Sequence, residues 1–139
     1  ALIRKVVEGT NPLPVFGDGS EVRSFLFSRD AARGMLHMAR HGIEEPVNLA
    51  GGEGIAIRDL LSVILENADK KPEIFWDTSK PAGDKRRVLD TARARALGFE
   101  PAVSLAEGIR ETVSWYKKNR DRNALRYHAF KSRQRELSA

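Results

Sequence analysis

The segment PVFGDGSEVRSFLF, residues 14–27, places two short apolar runs on either side of a glycine-rich stretch. The runs at 15–16 and 25–27 each predict a short strand. The G-D-G-S sequence at 17–20 predicts a tight turn between them. Arg23 follows this turn, and a guanidinium on a rigid element suits phosphate because it donates two parallel hydrogen bonds. The segment therefore predicts a strand–turn–strand unit that presents one arginine.

The rest of the chain alternates helix patterns with short strand patterns. Helices are predicted over 1–8, 29–40, 57–68, 91–97 and from 105 onward, strands over 46–49 and 73–76, and a polar loop over 78–87. This order predicts an α/β domain, α+β-like in its segregation, built from short strands and amphipathic helices. The strands are too few to form a large sheet.

Three of the helices carry an apolar stripe at helical period, which predicts the face that each one buries. In the helix that starts at 105, that face consists of Leu105, Ile109, Val113 and Tyr116. In the 29–40 helix that face consists of Ala32, Met35, Leu36 and Ala39. In the 57–68 helix it consists of Ile57, Leu60, Leu61, Ile64, Leu65 and Ala68. A capping box, Ser104 with Glu107 three residues later, predicts the start of the last helix.

Composition limits the class of protein. The chain has 139 residues, of which 41% are hydrophobic, and no cysteine, so one domain with a real core is expected and a thiolate site is excluded. Residues 117–139 hold eight basic and two acidic side chains, whereas the other 116 residues hold 16 basic and 17 acidic side chains and are nearly neutral. A neutral body disfavours a nucleic-acid-binding fold. We expect a domain at 1–119 followed by a basic tail at 120–139, helical or frayed at its end.

No apolar stretch approaches the length of about 18 residues that a membrane-spanning helix needs. No signal peptide opens the sequence either. A cytoplasmic protein that makes no contact with a membrane is the expectation.

The motifs for several common chemistries are incomplete. The glycines at 17–19 and 52–54 lack the third glycine of a dinucleotide fingerprint. His37 and His41 have the spacing of zinc ligands without the glutamate of a zincin. Tyr127 and Lys131 form a Y-x-x-x-K pair inside the basic tail, with no cofactor motif upstream. We therefore predict no catalytic, cofactor-binding or metal-binding residue in this chain.

An anion-binding set is the more promising pattern. Besides Arg23, the cations Lys80, Arg86 and Arg87 flank a Pro-x-Gly loop. Taken singly, each is typical of a solvated surface charge. Taken together, they are candidates for binding a phosphate group.

Four segments in order resemble one known family. Residues 14–25 resemble the P-x-W/Y-G-D-G-x-x-x-R-D/E-F stretch of the extended short-chain dehydrogenases/reductases that act on nucleotide sugars. Residues 47–53 resemble that family's N-x-G-S/G-G strand end, and residues 77–90 its K/R-P-x-G-x-x-R-R-x-L-D loop. Residues 98–116 resemble the family's C-terminal motifs, L-G-W/F-x-P followed by S-L-E-E-G-L-x-x-T-x-x-W-Y. The loop is most similar to the GDP-fucose synthase branch.

The resemblance implies a substrate-binding role for this part of the chain. By motif position, Arg23 would contact a nucleotide diphosphate, Lys80 and Arg87 would lie near the phosphate or the sugar, and Phe16 would lie beside the base. The family's acid after the arginine is replaced by Ser24, and a common proline by Lys85. The family's V-D-D is replaced by Ser-Arg-Asp at 28–30.

The resemblance also implies that a half of the enzyme is missing from these residues. The family's Rossmann domain, with its NAD or NADP fingerprint and its Ser and Tyr-x-x-x-Lys catalytic set, has no counterpart here. The chain alone is therefore expected to bind no NAD(P) and to catalyse nothing.

Three functions stay open at this point. The first is the C-terminal part of a nucleotide-sugar epimerase, dehydratase or reductase, which binds a nucleoside diphosphate-sugar. The second is a stand-alone binding or assembly module of the same fold. The third, disfavoured, is a nucleic-acid-binding protein that uses the basic tail. Because the 46–49 strand and its helices would lack the Rossmann sheet, we expect a homodimer or a missing Rossmann domain as the partner.

Overall fold

The computed structural model describes the backbone of residues 2–136 and the side chains of residues 2–122. Its fold is mixed α/β, as predicted. The helices are α1 Leu2–Glu8, α2 Ser28–Arg40, α3 Ile57–Glu66, α4 Ala92–Ala96 and α5 Leu105–Glu136. The strands are β1 Leu13–Phe16, β2 Val22–Arg23, β3 Ile55–Ala56, β4 Ile74–Asp77 and β5 Arg86–Arg87.

The strands form two small sheets. In the first, β1 pairs in parallel with β4, so that Leu13 lies opposite Ile74 and Phe16 opposite Asp77. In the second, the order is β3-β2-β5, with β2 antiparallel to β3 and parallel to β5. Each outer strand of the second sheet has two residues, so this sheet depends on its neighbours for support.

The larger hydrophobic core lies where α3 packs against β1 and α1. Its buried members are Val6, Leu13, Val15, Leu60, Leu61, Ile64 and Ala68, with Leu105 and Ile109 of α5 against them. Each fully buried Leu or Ile contributes about 1.5–3 kcal/mol relative to an exposed one. The predicted α3 face is confirmed.

Backbone carbonyls hold the start of α3. Its N-cap residue is Ala56, which has no side-chain oxygen to accept from the first turn. The N–H of Ile57 donates instead to Glu21 O at 3.0 Å, and the N–H of Arg58 donates to Gly19 O at 3.0 Å. The Arg58 guanidinium adds a bond to Asp18 O at 3.1 Å. The glycine turn and the helix therefore fix each other.

A smaller core joins α2 to α4 and to the chain before α5. It consists of Met38, Ala94 and Phe99, with Leu49 and Leu97 among the residues packed on it. Gly34 of α2 lets this layer approach closely, because a Cβ there would lie 2.8 Å from Leu49 Cδ1 and 2.9 Å from the Phe99 ring.

Asp30 connects α2 to the start of α5. Its side chain is 2% exposed and accepts from the N–H groups of Ala102 (3.0 Å) and Val103 (2.8 Å). Arg33 donates to its other oxygen at 2.9 Å. Burial raises the pKa of the Asp30 carboxyl, but these hydrogen bonds outweigh it and hold the pKa below its usual value.

The predicted inward face of α2 is wrong. Met35 and Leu36 are 60% and 56% exposed, and the buried residues are Asp30, Gly34 and Met38 on the opposite side. The hydrogen bonds of Asp30 and the close approach at Gly34, rather than the size of the apolar side chains, decide which face of α2 is buried. The helix therefore carries a second, open apolar face made of Ala32, Met35, Leu36 and Ala39.

Two predicted strands are absent from the described part of the chain, and one loop is partly a strand. Residues 25–27 are irregular because the pairing to β3 ends at Arg23. Residues 46–49 form no strand because no described segment pairs with them. The predicted 78–87 loop ends in β5.

Other predicted boundaries agree to within one or two residues. The Ser104 hydroxyl accepts from Glu107 N–H at 3.2 Å, as the capping box predicts. Inside α5, Asn119 has non-helical angles of φ −114° and ψ 16°. None of the helices in the described residues is both long and apolar enough to cross a membrane.

Replacement of Asp30 by Asn should lower the free energy of unfolding by about 2–3 kcal/mol, because an amide cannot accept from all three donors as an anion does. The folded-state pKa is depressed, so this contribution is complete above about pH 5, begins to fall near the unfolded-state pKa of about 3.9, and is lost once the pH falls through the lower folded-state pKa. Urea unfolding at pH 7 and at pH 3 measures both points. The exposed Asp84→Asn variant is the control, and an equal loss at the two pH values would contradict the prediction.

Replacement of Gly19 by Ala should destabilise the fold more than the same change at Gly42. Both have positive φ (77° and 63°), which costs alanine about 1–2 kcal/mol. Only at Gly19 would the new Cβ also meet a side chain, the Trp76 ring at 2.5 Å, whereas Gly42 faces open space. The expected difference is about 1–3 kcal/mol. Thermal and urea unfolding measure it, and Gly19→Ala combined with Trp76→Phe should recover part of the loss.

Candidate anion-binding site

The glycine turn at 17–20 carries the chain from β1 to β2. Gly17 and Gly19 adopt φ of 80° and 77°, which other residues rarely adopt. The Asp18 carboxylate accepts from Ser20 N–H at 2.8 Å. Hydrogen bonds that the Asp18 carboxylate accepts, first from the Ser20 side chain and then from the Ser20 backbone, lower the pKa of Asp18, and the charge of Arg58 acts in the same direction. The turn is thus held by its own hydrogen bonds and by the start of α3.

The register of β2 and β5 places two of the predicted site residues side by side. Arg23 is the register partner of Arg87, and Val22 is the partner of Arg86. Register partners project from the same face of a sheet, so the side chains of Arg23 and Arg87 lie on the same face of the β2–β5 pair. Arg23 is half-buried and donates to Val22 O at 2.8 Å. Arg87 is exposed.

The segment between β4 and β5 lies against the glycine turn and Arg23. A Cβ at Gly17 would meet Ala82 Cβ at 2.5 Å, so Ala82 sits on the turn. A Cβ at Gly83 would lie 3.6 Å from an Arg23 guanidinium nitrogen. Lys80, at the start of this segment, is exposed, and its N–H donates to Asp77 O at 3.3 Å.

Phe16 lies at the end of β1, opposite Asp77, and its side chain is 56% exposed. Lys80 follows Asp77 by three residues, so Phe16 and Lys80 both lie near the carboxyl ends of the β1–β4 pair. Arg23 and Arg87 lie on the second sheet, beyond the turn. The structure therefore joins the four predicted residues as two pairs linked by the turn.

A cleft of about 1620 Å³ opens beside Arg23, between α1, α3 and α5. Arg23 is part of its lining, whereas Phe16, Lys80 and Arg87 lie outside it. Tyr116 also lines the cleft, and its hydroxyl donates to Glu8 Oε1 at 2.7 Å. Burial, and then the bond to Glu8, raise the pKa of this tyrosine. Most of the other lining residues are apolar.

Two residues that support the site were missed by the sequence interpretation. Arg58 binds the turn from α3, and Trp76 fills the space over Gly19. The available signal for Arg58 was the missing polar N-cap at Ala56, which requires outside acceptors for the first N–H groups of α3. For Trp76 the chain offers no signal, because its contact with Gly19 joins residues far apart in sequence.

Glu21 was missed as well. Its side chain is buried, and its Oε2 has no hydrogen-bond partner in the described part of the chain. Its Oε1 lies under Gly17, where a Cβ would come within 2.5 Å.

The two histidines on α2 make hydrogen bonds to backbone carbonyls. His37 Nε2 lies 2.7 Å from Leu97 O, and His41 Nδ1 lies 2.8 Å from His37 O. Residues 2–122 contain no group of three or more acidic, His or Cys side chains that could hold a metal ion. The Tyr127–Lys131 pair lies outside the residues whose side chains are described.

Comparison with known proteins covers most of the chain. Residues 1–112 match the family model described as GDP-mannose 4,6 dehydratase. GDP-L-fucose synthase 1 of Arabidopsis thaliana is 34% identical over 114 residues, which are 81% of this chain and 35% of that protein. The dTDP-glucose 4,6-dehydratase of Streptomyces griseus is 35% identical over 111 residues, 78% of this chain and 34% of that protein.

Solved structures agree with the sequence matches. The UDP-glucuronic acid 4-epimerase of Bacillus cereus, in complex with UDP-glucuronic acid and NAD, superposes with a TM-score of 0.73 at 29% identity. The match covers 84% of this chain and 38% of the epimerase. The chain thus spans a little over a third of the length of the proteins it matches, and the resemblance seen in its four motifs is confirmed. It belongs to the GDP-mannose 4,6-dehydratase family within the extended short-chain dehydrogenases/reductases.

Proposed function

We propose that this chain binds the nucleoside diphosphate of a nucleotide sugar, as the substrate-binding part of an NAD(P)-dependent epimerase, dehydratase or reductase. Arg23 and Arg87 bind the diphosphate, Lys80 approaches the phosphate or the sugar, and Phe16 lies against the base. The family to which the chain belongs acts on nucleotide sugars, and this supports the substrate class.

One observation carries the proposal: the parallel register that pairs Arg23 with Arg87. A diphosphate carries several oxygens that accept from two adjacent guanidinium groups, and bidentate guanidinium–phosphate pairs are strong and directional. The turn and α3 hold Arg23 before a ligand arrives, which lowers the ordering cost of binding.

We also propose that these residues alone bind no dinucleotide cofactor and do not catalyse. A pyrophosphate is typically held by free N–H groups at a helix N-terminus. At α3, the helix nearest the glycine turns, the N–H groups of Ile57 and Arg58 are already bonded to Glu21 O and Gly19 O. The turn at 17–20 leads into a strand rather than a helix. Both features support a substrate-binding half that requires a separate cofactor-binding half.

The open face of α2 supports a partner for this half. Met35 and Leu36 are more than half exposed, and a helix with apolar residues on two opposite sides is typical of a buried layer. Residues 46–49 follow this helix without any strand partner among the described residues. We propose that a Rossmann domain covers this region in a complete enzyme, and that a second copy covers it when the chain stands alone.

Replacement of Arg23 by Gln should weaken binding of nucleoside diphosphate-sugars about tenfold, because one charge-assisted bidentate contact is lost. The starting affinity is expected to be millimolar, about −4 kcal/mol, since half a site makes few contacts. NMR chemical-shift titration with GDP-, UDP- and dTDP-sugars measures both values and identifies the preferred base.

The matched control for this titration is Arg95→Gln, which removes an exposed guanidinium from α4. It should leave the affinity unchanged. Shifts that cluster in residues 120–139 and spare Arg23 and Lys80 would show that the basic tail, and not the proposed site, binds the ligand.

The chain alone should be a homodimer, and replacement of Leu36 by Glu should make it monomeric. A carboxylate in the centre of an apolar interface loses its hydration without gaining a partner. Light scattering over a hundredfold range of concentration measures the mass, with Ala96→Glu on exposed α4 as the control. A monomer at every concentration with a cooperative melt would contradict the proposed pairing.

A further inference from the structure

We propose that residues 80–87 form a strap whose attachment to the sheet is coupled to the binding of a diphosphate between Arg23 and Arg87. This inference rests on the proposed function and adds a conformational change to it. The strap is attached weakly when no anion is bound and firmly when one is bound.

Few contacts attach the strap to the second sheet. The β5 strand has two residues, and one further backbone bond runs from Val22 N–H to Lys85 O at 2.8 Å. Arg86 donates to Glu53 O at 3.0 Å across an exposed surface. At its middle, the strap touches the glycine turn through Ala82. Such a segment opens at a small fraction of the free energy of global unfolding.

The charges on both sides of this attachment have the same sign. The strap carries Lys80, Lys85, Arg86 and Arg87 against a single acid, Asp84. It is attached beside Arg23. Five ion pairs form among the side chains of residues 2–122, and none of them includes Arg23 or a residue of the strap. Within residues 2–122, no carboxylate therefore lies within ion-pair distance of Arg23 or of the strap's cations.

Like charges at register-partner positions destabilise strand pairing. Because Arg23 and Arg87 are such partners, the repulsion between them is lost whenever β5 leaves the sheet. A diphosphate bound between them neutralises both and bridges the two strands. By linkage, the anion favours the attached strap to the same extent that the attached strap favours the anion.

Limited proteolysis with trypsin measures how often the strap detaches from the sheet. Trypsin cuts after Lys85, Arg86 and Arg87, and cutting there requires local opening, so the rate follows the open population. Inorganic pyrophosphate and GDP should each slow these cuts, whereas GMP, with one phosphate, should have less effect. The Arg23→Gln variant should slow them about two- to fivefold without any anion, as the relief of one like-charge pair predicts. Pyrophosphate should then add little.

Cleavage after Lys70, in another exposed segment, is the internal reference, and Arg95→Gln is the charge-matched control. Unchanged or faster cutting of anion-free Arg23→Gln would overturn the coupling. So would binding of pyrophosphate, seen by calorimetry, without protection of the strap, or protection by GDP but not by pyrophosphate. Failure of both pyrophosphate and GDP to bind would overturn the proposed function itself, and this result is distinguishable from the other three.

Discussion

The bonding of the first turn of α3 to the glycine turn is the constraint on which the site depends. Helix α3 begins at Ile57 after the apolar N-cap residue Ala56, so its first N–H groups take Glu21 O and Gly19 O as acceptors. This fixes the turn on the helix that contributes Leu60, Leu61 and Ile64 to the larger core. The glycine turn also fixes β2, which pairs with β3 on one side and with β5 on the other. The position of Arg23 thus follows from helix capping rather than from any contact of its own side chain.

A rigid support suits the phosphate-binding role proposed for Arg23. Among the described residues, the Arg23 side chain donates only to the neighbouring carbonyl of Val22, so its remaining donors stay available. Trp76 packs over Gly19 and closes the space into which the turn would otherwise relax. The family's acid after the arginine is absent here, and the support from α3 does not require it. The scaffold is therefore preorganised, whereas the strap that carries Arg87 and Lys80 is not.

Much of this was accessible from the sequence, because some signals are local. The apolar stripe of α3 and the Ser104 capping box each depend on residues within a few turns, and both predictions hold. The prediction of the inward face of α2 was wrong because burial there is decided by Asp30 and Gly34. Gly34 packs against Leu49 and Phe99, and Asp30 accepts from backbone N–H groups 72 and 73 residues away. The prediction of a strand at residues 46–49 was wrong for a related reason, because a strand forms only when another segment pairs with it. The sequence motifs identified the four candidate site residues, but the pairing of Arg23 with Arg87 could be seen only from the strand register.

The link between α2 and α5 has a consequence for how the molecule unfolds. The two apolar cores are separate clusters, and Asp30 with its backbone donors, together with the exposed Arg29–Glu111 ion pair, ties the helix of one to the helix of the other. Apolar contacts hold each core at any ionic strength, but the exposed pair is screened by salt. The cooperativity between the two halves is therefore set in part by the solvent. An exposed pair of this kind contributes only about 0–1 kcal/mol, so salt weakens the link slightly and the buried hydrogen bonds of Asp30 carry most of it.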